Sequence, residues 1–263
     1  MKILRGSLVL VCCVGFVAGG CKKDEPPHDP VVVAQGAAAE KLLTPAPATA
    51  PASGTATIRG AVTLTGVPPE MQLTKRDGDP FCARTPMKDE EVVVGAGGAL
   101  KNVIVRITKG ITGNYEPPMT NVTLDQTQCM YKPRVAAIMA GQSLLVRNGD
   151  QTLHNVHTYK GASTLFNQAE VPGLPAIAKT FKDATGEILK FKCDVHPWMT
   201  GYVAVMGHPF FAVTGDDGKF EIPKVPAGTY TIEAWHERFG TKSQQVTVEA
   251  GKPAALAFAF ESK

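Results

Sequence analysis

Beyond residue 57, apolar and polar positions alternate with a period of two, the spacing of half-buried strands. Ile58-Arg59-Gly60-Ala61-Val62-Thr63-Leu64 alternates and stops at Gly66 and Pro68-Pro69. Val103, Val105 and Ile107 share one face, with Asn102 and Arg106 opposite. Ser143–Asn148 reads as a further strand, broken at Gly149-Asp150. From Ile188 to Cys193, Leu189, Phe191 and Cys193 face inward while Lys190 and Lys192 point away. Pro197 ends that strand, because it has no N–H for a ladder, and Tyr202–Met206 resumes one. Phe211–Thr214, Phe220–Ile222, Tyr230–Trp235 and Val246–Val248 follow, separated by the turn signals Gly215-Asp216-Asp217-Gly218 and Pro226-Ala227-Gly228. Leu256, Phe258 and Phe260 close the chain on one face. No long helical period occurs, and the chain holds 26 Gly and 20 Pro. An all-β chain is predicted.

The first residues break this pattern. Lys2 and Arg5 precede an apolar run from Leu8 to Ala18, too short to span a bilayer comfortably, and residues 1–20 read as a secretory signal. Ala18-Gly19-Gly20-Cys21 resembles a bacterial lipobox, with Cys21 the residue that would carry lipid after cleavage. Ala18 stands where such motifs usually have Leu, and an ordinary signal peptide with an incidental Cys is the other reading. Lys22, rather than Asp, follows the Cys, which in lipoproteins of this kind points to the outer membrane. Residues 21–57 are rich in Ala, Pro, Thr and Ser and poor in large apolar residues, so they form a disordered tether that includes a solvated His28. Loss of Lys2 and Arg5 reduces the 27 basic residues to 25 against 24 acidic, a net charge of +1. That balance gives no support to a nucleic-acid partner.

The chemistry concentrates in Cys193-Asp194-Val195-His196-Pro197-Trp198-Met199, with His154-Asn155-Val156-His157 upstream. A thiolate, two imidazoles and a weakly held thioether are the ligand set of a blue-copper electron-transfer site. Cu(I) favours soft sulfur and imidazole suits both oxidation states. His154 must then come from a second strand, which would cross-link a sandwich through one ion.

The two motifs, in this order, resemble the copper loops of cupredoxins. The short Cys-x-x-His-x-x-Met spacing and the His-Asn-Val-His run look most like amicyanin, and less like plastocyanin and pseudoazurin, whose His-to-Met loops are longer. The resemblance covers about Val135–Met206. It implies a Greek-key β-sandwich with one type 1 copper held by His154, Cys193, His196 and axial Met199. It also implies that Asn155 ties the two ligand loops together by hydrogen bonds. His157 sits three residues after His154, off the ligand face, and reads as an outer-shell or packing residue, with ligation the alternative. In cupredoxins of this kind the outer edge of the second His reaches the surface, here beside Pro197 and Trp198. Those two residues would form a docking patch, and acid would displace His196 from Cu(I) and raise the potential. The alternative is that Trp198 packs inward.

Of the remaining cysteines, Cys12 and Cys13 leave with the signal, and Cys82 and Cys129 form a natural disulfide pair in an exported protein. That bridge would contribute roughly 4 kcal/mol on the chain-entropy estimate. Two free thiols joining a metal site is the alternative. Residues 208–263 resemble the carboxypeptidase regulatory-like, transthyretin-type β-sandwich, a structural or binding module with an Ig-like fold and no catalysis. The usual first strand of that module looks like Ile58–Val62, which suggests that the N-terminal strand pairs with the C-terminal section and the cupredoxin lies between. The expected division is therefore a copper domain over 58–207, with 58–66 assignable to either module, and the smaller sandwich over 208–263. His208 and His236 lack a partner at ligand spacing and read as surface or packing residues.

These features predict a membrane-tethered carrier of single electrons between periplasmic redox proteins, and no enzyme, because no second His cluster occurs. Two alternatives use the same residues: a lipoprotein that buffers or delivers copper, and an interaction protein with an incidental or zinc site.

Overall fold

The computed structural model describes residues 54–262; the signal, Cys21, His28 and most of the tether lie outside them. Within that span the strands are β1 (Ala56–Thr65), β2 (Ile104–Lys109), β3 (Val122–Thr127), β4 (Met130–Lys132), β5 (Val135–Met139), β6 (Ser143–Asn148), β7 (His154–Lys160) and β8 (Ser163–Glu170). They continue as β9 (Ile177–Thr180), β10 (Thr185–Lys192), β11 (Thr200–Met206), β12 (Phe211–Val213), β13 (Lys219–Val225), β14 (Gly228–His236), β15 (Gly240–Val248) and β16 (Pro253–Glu261). Only two short 3-10 turns interrupt them, at Cys82–Arg84 and Ala96–Gly98. The all-β expectation holds.

Two sandwiches result. One pairs a sheet ordered β5-β11-β10-β7-β8 with a sheet ordered β4-β3-β6-β9; the other pairs β13-β1-β16 with β12-β2-β14-β15. The alternation explains the faces. Ile58, Val62 and Leu64 of β1 point into one core with Val103, Val105, Ile107, Phe220, Ile222, Phe258 and Phe260. Leu189, Phe191 and Cys193 point into the other with Leu124, Leu144, Val146 and Val156. β1 lies between β13, antiparallel, and β16, parallel, so the N-terminal strand is part of the C-terminal sandwich. β2 joins it as well, between β12 and β14. The strands of the first sandwich therefore run only from β3 to β11 and interrupt the second, in contrast to the boundary at residue 58. Alternation marks Val103–Ile107 as a strand, but its sheet is decided by partners more than a hundred positions downstream, which no local pattern reveals. The turn between β12 and β13 needs Gly218, at φ +67°, because a Cβ there would meet the Val62 carbonyl oxygen at 2.6 Å.

A third cluster joins the sandwiches. Ile104, Val135, Ala204 and Met206 are buried there, flanked by Tyr202 and Trp235, whose rings meet edge to face at 5.2 Å. His236, at the end of β14, is fully buried and stacks on Phe239. Its Nδ1 accepts the Arg238 amide. Burial, with Arg134 nearby, pushes its pKa down to about 4. A folded pKa below the unfolded value of about 6.5 stabilises the fold above that value and loses the contribution as pH falls toward 4. The full effect is on the order of 3 kcal/mol. His236→Phe should flatten the fall in melting temperature between pH 7 and pH 4.5, and an unchanged acid slope would show that other groups carry it.

Candidate metal centre

β10 ends at Lys192 and leaves Cys193 fully buried at the head of a tight loop. The Cys193 amide donates to the Met199 carbonyl (3.3 Å) and the Met199 amide to the His196 carbonyl (2.9 Å). These bonds fold Cys193, His196 and Met199 inward, and all three side chains are buried. β7 runs antiparallel to β10, with His157 opposite Lys192, which puts buried His154 against the same loop. Strand pairing thus unites residues from two separate motifs.

The three donor atoms form a small triangle. His154 Nδ1 lies 2.9 Å from His196 Nδ1, and Cys193 Sγ lies 3.9 and 3.7 Å from those two nitrogens. A point equidistant from the three lies about 2.1 Å from each, close to the ~2.0–2.3 Å that imidazole nitrogen and thiolate sulfur take to a borderline metal. Met199 belongs to the same core as Cys193. The donor set and its spacing fit a copper ion.

The electrostatics favour a ligating thiolate. Burial alone would raise the Cys193 thiol, but hydrogen bonds from His154, His196 and the amides of Asn155 and His196 bring it down to about 6. Burial disfavours a charged His154, yet Asp150 and Cys193 raise its pKa to about 9. A metal ion held by these three groups would require them deprotonated, so its binding would release protons.

Each histidine of the triangle is backed by a carboxylate, a feature absent from the expected site. His154 Nε2 meets Asp150 Oδ2 at 2.9 Å, and His196 Nε2 meets Asp79 Oδ2 at 3.0 Å. With the outer nitrogen donating, both rings present Nδ1 to the centre. Burial works against an ionised Asp150, but His154 and the amides of Cys129 and Gln128 hold it below the usual carboxylate range. Those amides, at 2.7 Å each, also support a turn in which Gln128 and Cys129 adopt φ of 55° and 54°, a conformation disfavoured without glycine. Glu170, opposite His154 on β8, is pushed up to about 7 by burial and takes a hydrogen bond from Gln126.

Asn155 links the ligand loops as the resemblance implies. Its amide donates to Cys193 Sγ (3.4 Å), and its side-chain oxygen accepts the Asp194 and Val195 amides (2.6 and 3.4 Å). The Tyr131 hydroxyl adds a bond to the Lys192 carbonyl (3.0 Å). His157 is turned away, with Nδ1 on Asp194 (2.9 Å) and Nε2 on Thr164 (2.8 Å), so it steadies the loop and does not reach the triangle.

Two expectations are corrected. His196 is 1% exposed: its outer edge faces Asp79 and Cys82, not solvent. Trp198 is half-buried, its Nε1–H donates to the Cys129 carbonyl (3.0 Å), and its ring lies 5.1 Å from that of His196. It packs inward under Arg76, whose guanidinium lies 5.9 Å from the ring, and only Pro197 of the pair is exposed. The cause is the Arg76–Arg84 segment, pinned over the loop by the Cys82–Cys129 disulfide. Cys82 and Cys129 are thus bonded to each other and not free thiols, while Cys193 is the free cysteine among the described residues. His208, half-buried, faces the Ile107 carbonyl (3.1 Å), and it and His236 are packing residues.

These features define an all-β chain with a buried cluster of His154, Cys193 and His196, and Met199 packed in the same core. The family model for the carboxypeptidase regulatory-like domain matches residues 202–261, which takes in β12 to β16 but neither β1 nor β2. Among solved structures, the chain is similar to cupredoxins. A novel purple cupredoxin from Nitrosopumilus maritimus is 21% identical over 32% of this chain and 98% of that one, with a TM-score of 0.28. Amicyanin from Paracoccus versutus is 24% identical over 38% of this chain and 96% of that one, with a TM-score of 0.30. A Cu-containing nitrite reductase from Thermus scotoductus is 20% identical over 38% of this chain but only 25% of its own, with a TM-score of 0.30. No curated protein matches the chain.

Proposed function

We propose that this protein is a type 1 copper protein that carries single electrons in the bacterial cell envelope, tethered to the outer membrane through lipid on Cys21. The observation that carries the copper reading is the triangle of His154 Nδ1, His196 Nδ1 and Cys193 Sγ, of the size one ion needs. One copper ion bound there would supply a one-electron couple. The chain's own residues set its surroundings. Cys193, His154 and His196 would hold the ion in a plane, and Met199 would be the weak axial ligand. Asn155 keeps the two loops in register, and the core excludes water from the thiolate.

We read the chain as an electron carrier and not an enzyme. Among the described residues, every group of His, Cys and acidic atoms close enough to hold an ion shares a residue with this centre or its two ligand histidines. Partners are redox proteins. Leu153 and Val195, which precede the two ligand histidines, are 44% and 49% exposed, and Pro197 is exposed beside them. A small apolar patch of this kind suits brief contacts. Voltammetry tests the role: a carrier gives a reversible one-electron wave, whereas a copper-delivery protein loses the wave as Cu(I) passes to an acceptor. Met199→Gln should keep the copper and lower the potential, since an oxygen donor favours Cu(II) over Cu(I) relative to a thioether. An unchanged potential in that variant would remove Met199 from the axial position.

A further inference from the structure

We infer that the Arg76–Arg84 segment is a metal-retention cap and that Asp79 is the positioning residue through which it acts, holding His196 on the ion so that the centre exchanges electrons and not copper. The inference rests on the copper reading and goes beyond it, because an open ligand edge and a capped one have different consequences for metal exchange.

Asp79 is placed by its own segment. Its Oδ1 accepts the amides of Phe81 and Cys82 at 2.7 and 3.1 Å, which ties it to the start of the 3-10 turn at Cys82–Arg84. Its Oδ2 is left for the site: it accepts the Thr152 hydroxyl at 2.7 Å and meets His196 Nε2 at 3.0 Å. Thr152 lies in the turn that delivers His154, so one carboxylate reaches both ligand loops. Cys82 Sγ is 3.6 Å from the same His196 nitrogen. Its disulfide partner Cys129 gives its amide to Asp150, the carboxylate behind His154. The covalent bridge therefore joins the holders of the two histidines. Arg76 completes the cap by donating to the carbonyls of Thr85 and Gln128 and lying over Trp198.

Release of Cu(I) to a thiol- or chelator-based acceptor proceeds by ligand exchange, for which a ligand ring has to swing away and the acceptor has to approach. The cap opposes both. The His196 edge is buried, and its outward swing is blocked by Asp79 and the disulfide. A carboxylate on the outer nitrogen also makes the imidazole a stronger donor, and loss of such a partner typically weakens metal binding by about 10–100-fold. Electron transfer needs neither the swing nor direct access.

The test uses the full chain loaded with copper, as wild type, Asp79→Asn and Thr152→Val. The readouts at pH 7.5 are the rate of Cu(I) transfer to a chromophoric chelator, the reduction potential and the visible spectrum. Asp79→Asn should release Cu(I) roughly 10–100-fold faster. Its potential should rise, because the weaker imidazole favours Cu(I), while colour is retained. Thr152→Val, which removes only the hydroxyl that steadies the same oxygen, should show a smaller change in the same direction. If Asp79→Asn fails to fold, the Thr152→Val rate decides alone. Release at the wild-type rate with an unchanged potential overturns the cap while leaving a coloured wild type as a copper protein. A wild type that takes up no copper overturns both.

Discussion

A Cys193→Ser variant is expected to lose the intense visible absorption of the copper-loaded protein entirely and to bind copper far more weakly. The sulfur is the site's only thiolate: Cys82 and Cys129 are committed to each other, and Cys193 is the free cysteine among the described residues. It stands 3.7 and 3.9 Å from the two histidine nitrogens, and its environment brings the thiol down to about 6, so it is largely ionised at neutral pH. A serine hydroxyl in the same place stays protonated and is a hard donor, so the charge-transfer bond is lost and Cu(I) loses its preferred ligand. The fold should tolerate the change, since Ser is close in shape and the Asn155 amide can donate to its oxygen as it does to sulfur. Unchanged circular dichroism with a colourless protein is the expected pair of results. Full colour in the variant would place the metal elsewhere.

The largest effect on stability is expected at the joint between the sandwiches. Arg134, just before β5, makes a bidentate ion pair with Glu237, just after β14, through Nε and Nη2, and their side chains are 6% and 4% exposed. The nearest further carboxylate, Asp89, is 3.8 Å away and half in solvent. Glu237→Ala should cost about 3–5 kcal/mol, because it leaves a buried guanidinium whose desolvation the distant, half-exposed Asp89 offsets only weakly. At this chain length the melting temperature should drop by roughly 10 °C or more. The double variant Arg134→Met with Glu237→Leu should lie much closer to wild type, since no buried charge is left alone. A Glu237→Ala protein that melts with the wild type would mean that the two sandwiches are held by the Tyr202–Trp235 cluster alone.

The centre was legible because its chemistry is local. Cys193, His196 and Met199 lie within one loop, and strand alternation already points Cys193 inward. His154 opens β7 at a turn that the Gly149-Asp150 pair announces. Asp150 was within reach of the same reading, four residues before His154, but an Asp in a turn has many ordinary uses. Asp79 was not within reach. It lies 117 positions from His196, in a stretch with no periodic pattern, and only the folded chain brings it to the ring. The closure of the His196 edge follows from that contact, and the inward packing of Trp198 from the Cys129 carbonyl and Arg76 of the same disulfide-pinned region, so the expectation of an open edge fails for a non-local reason. β2 was legible as a strand and illegible as a member of the C-terminal sheet for the same cause. β1 is readable as a partner of the C-terminal strands because Ile58–Val62 resembles the usual first strand of such a module, though alternation alone leaves 58–66 assignable to either side; its pairing with β13 and β16 decides it.

The most direct test of a copper centre built from His154, Cys193, His196 and Met199 is titration of the purified, metal-free chain with Cu(II), followed by visible absorption and metal analysis. The expected result is an intense visible band that saturates at one copper per chain and disappears on reduction. A colourless protein, or one that keeps zinc in preference and shows no band with copper, would contradict it.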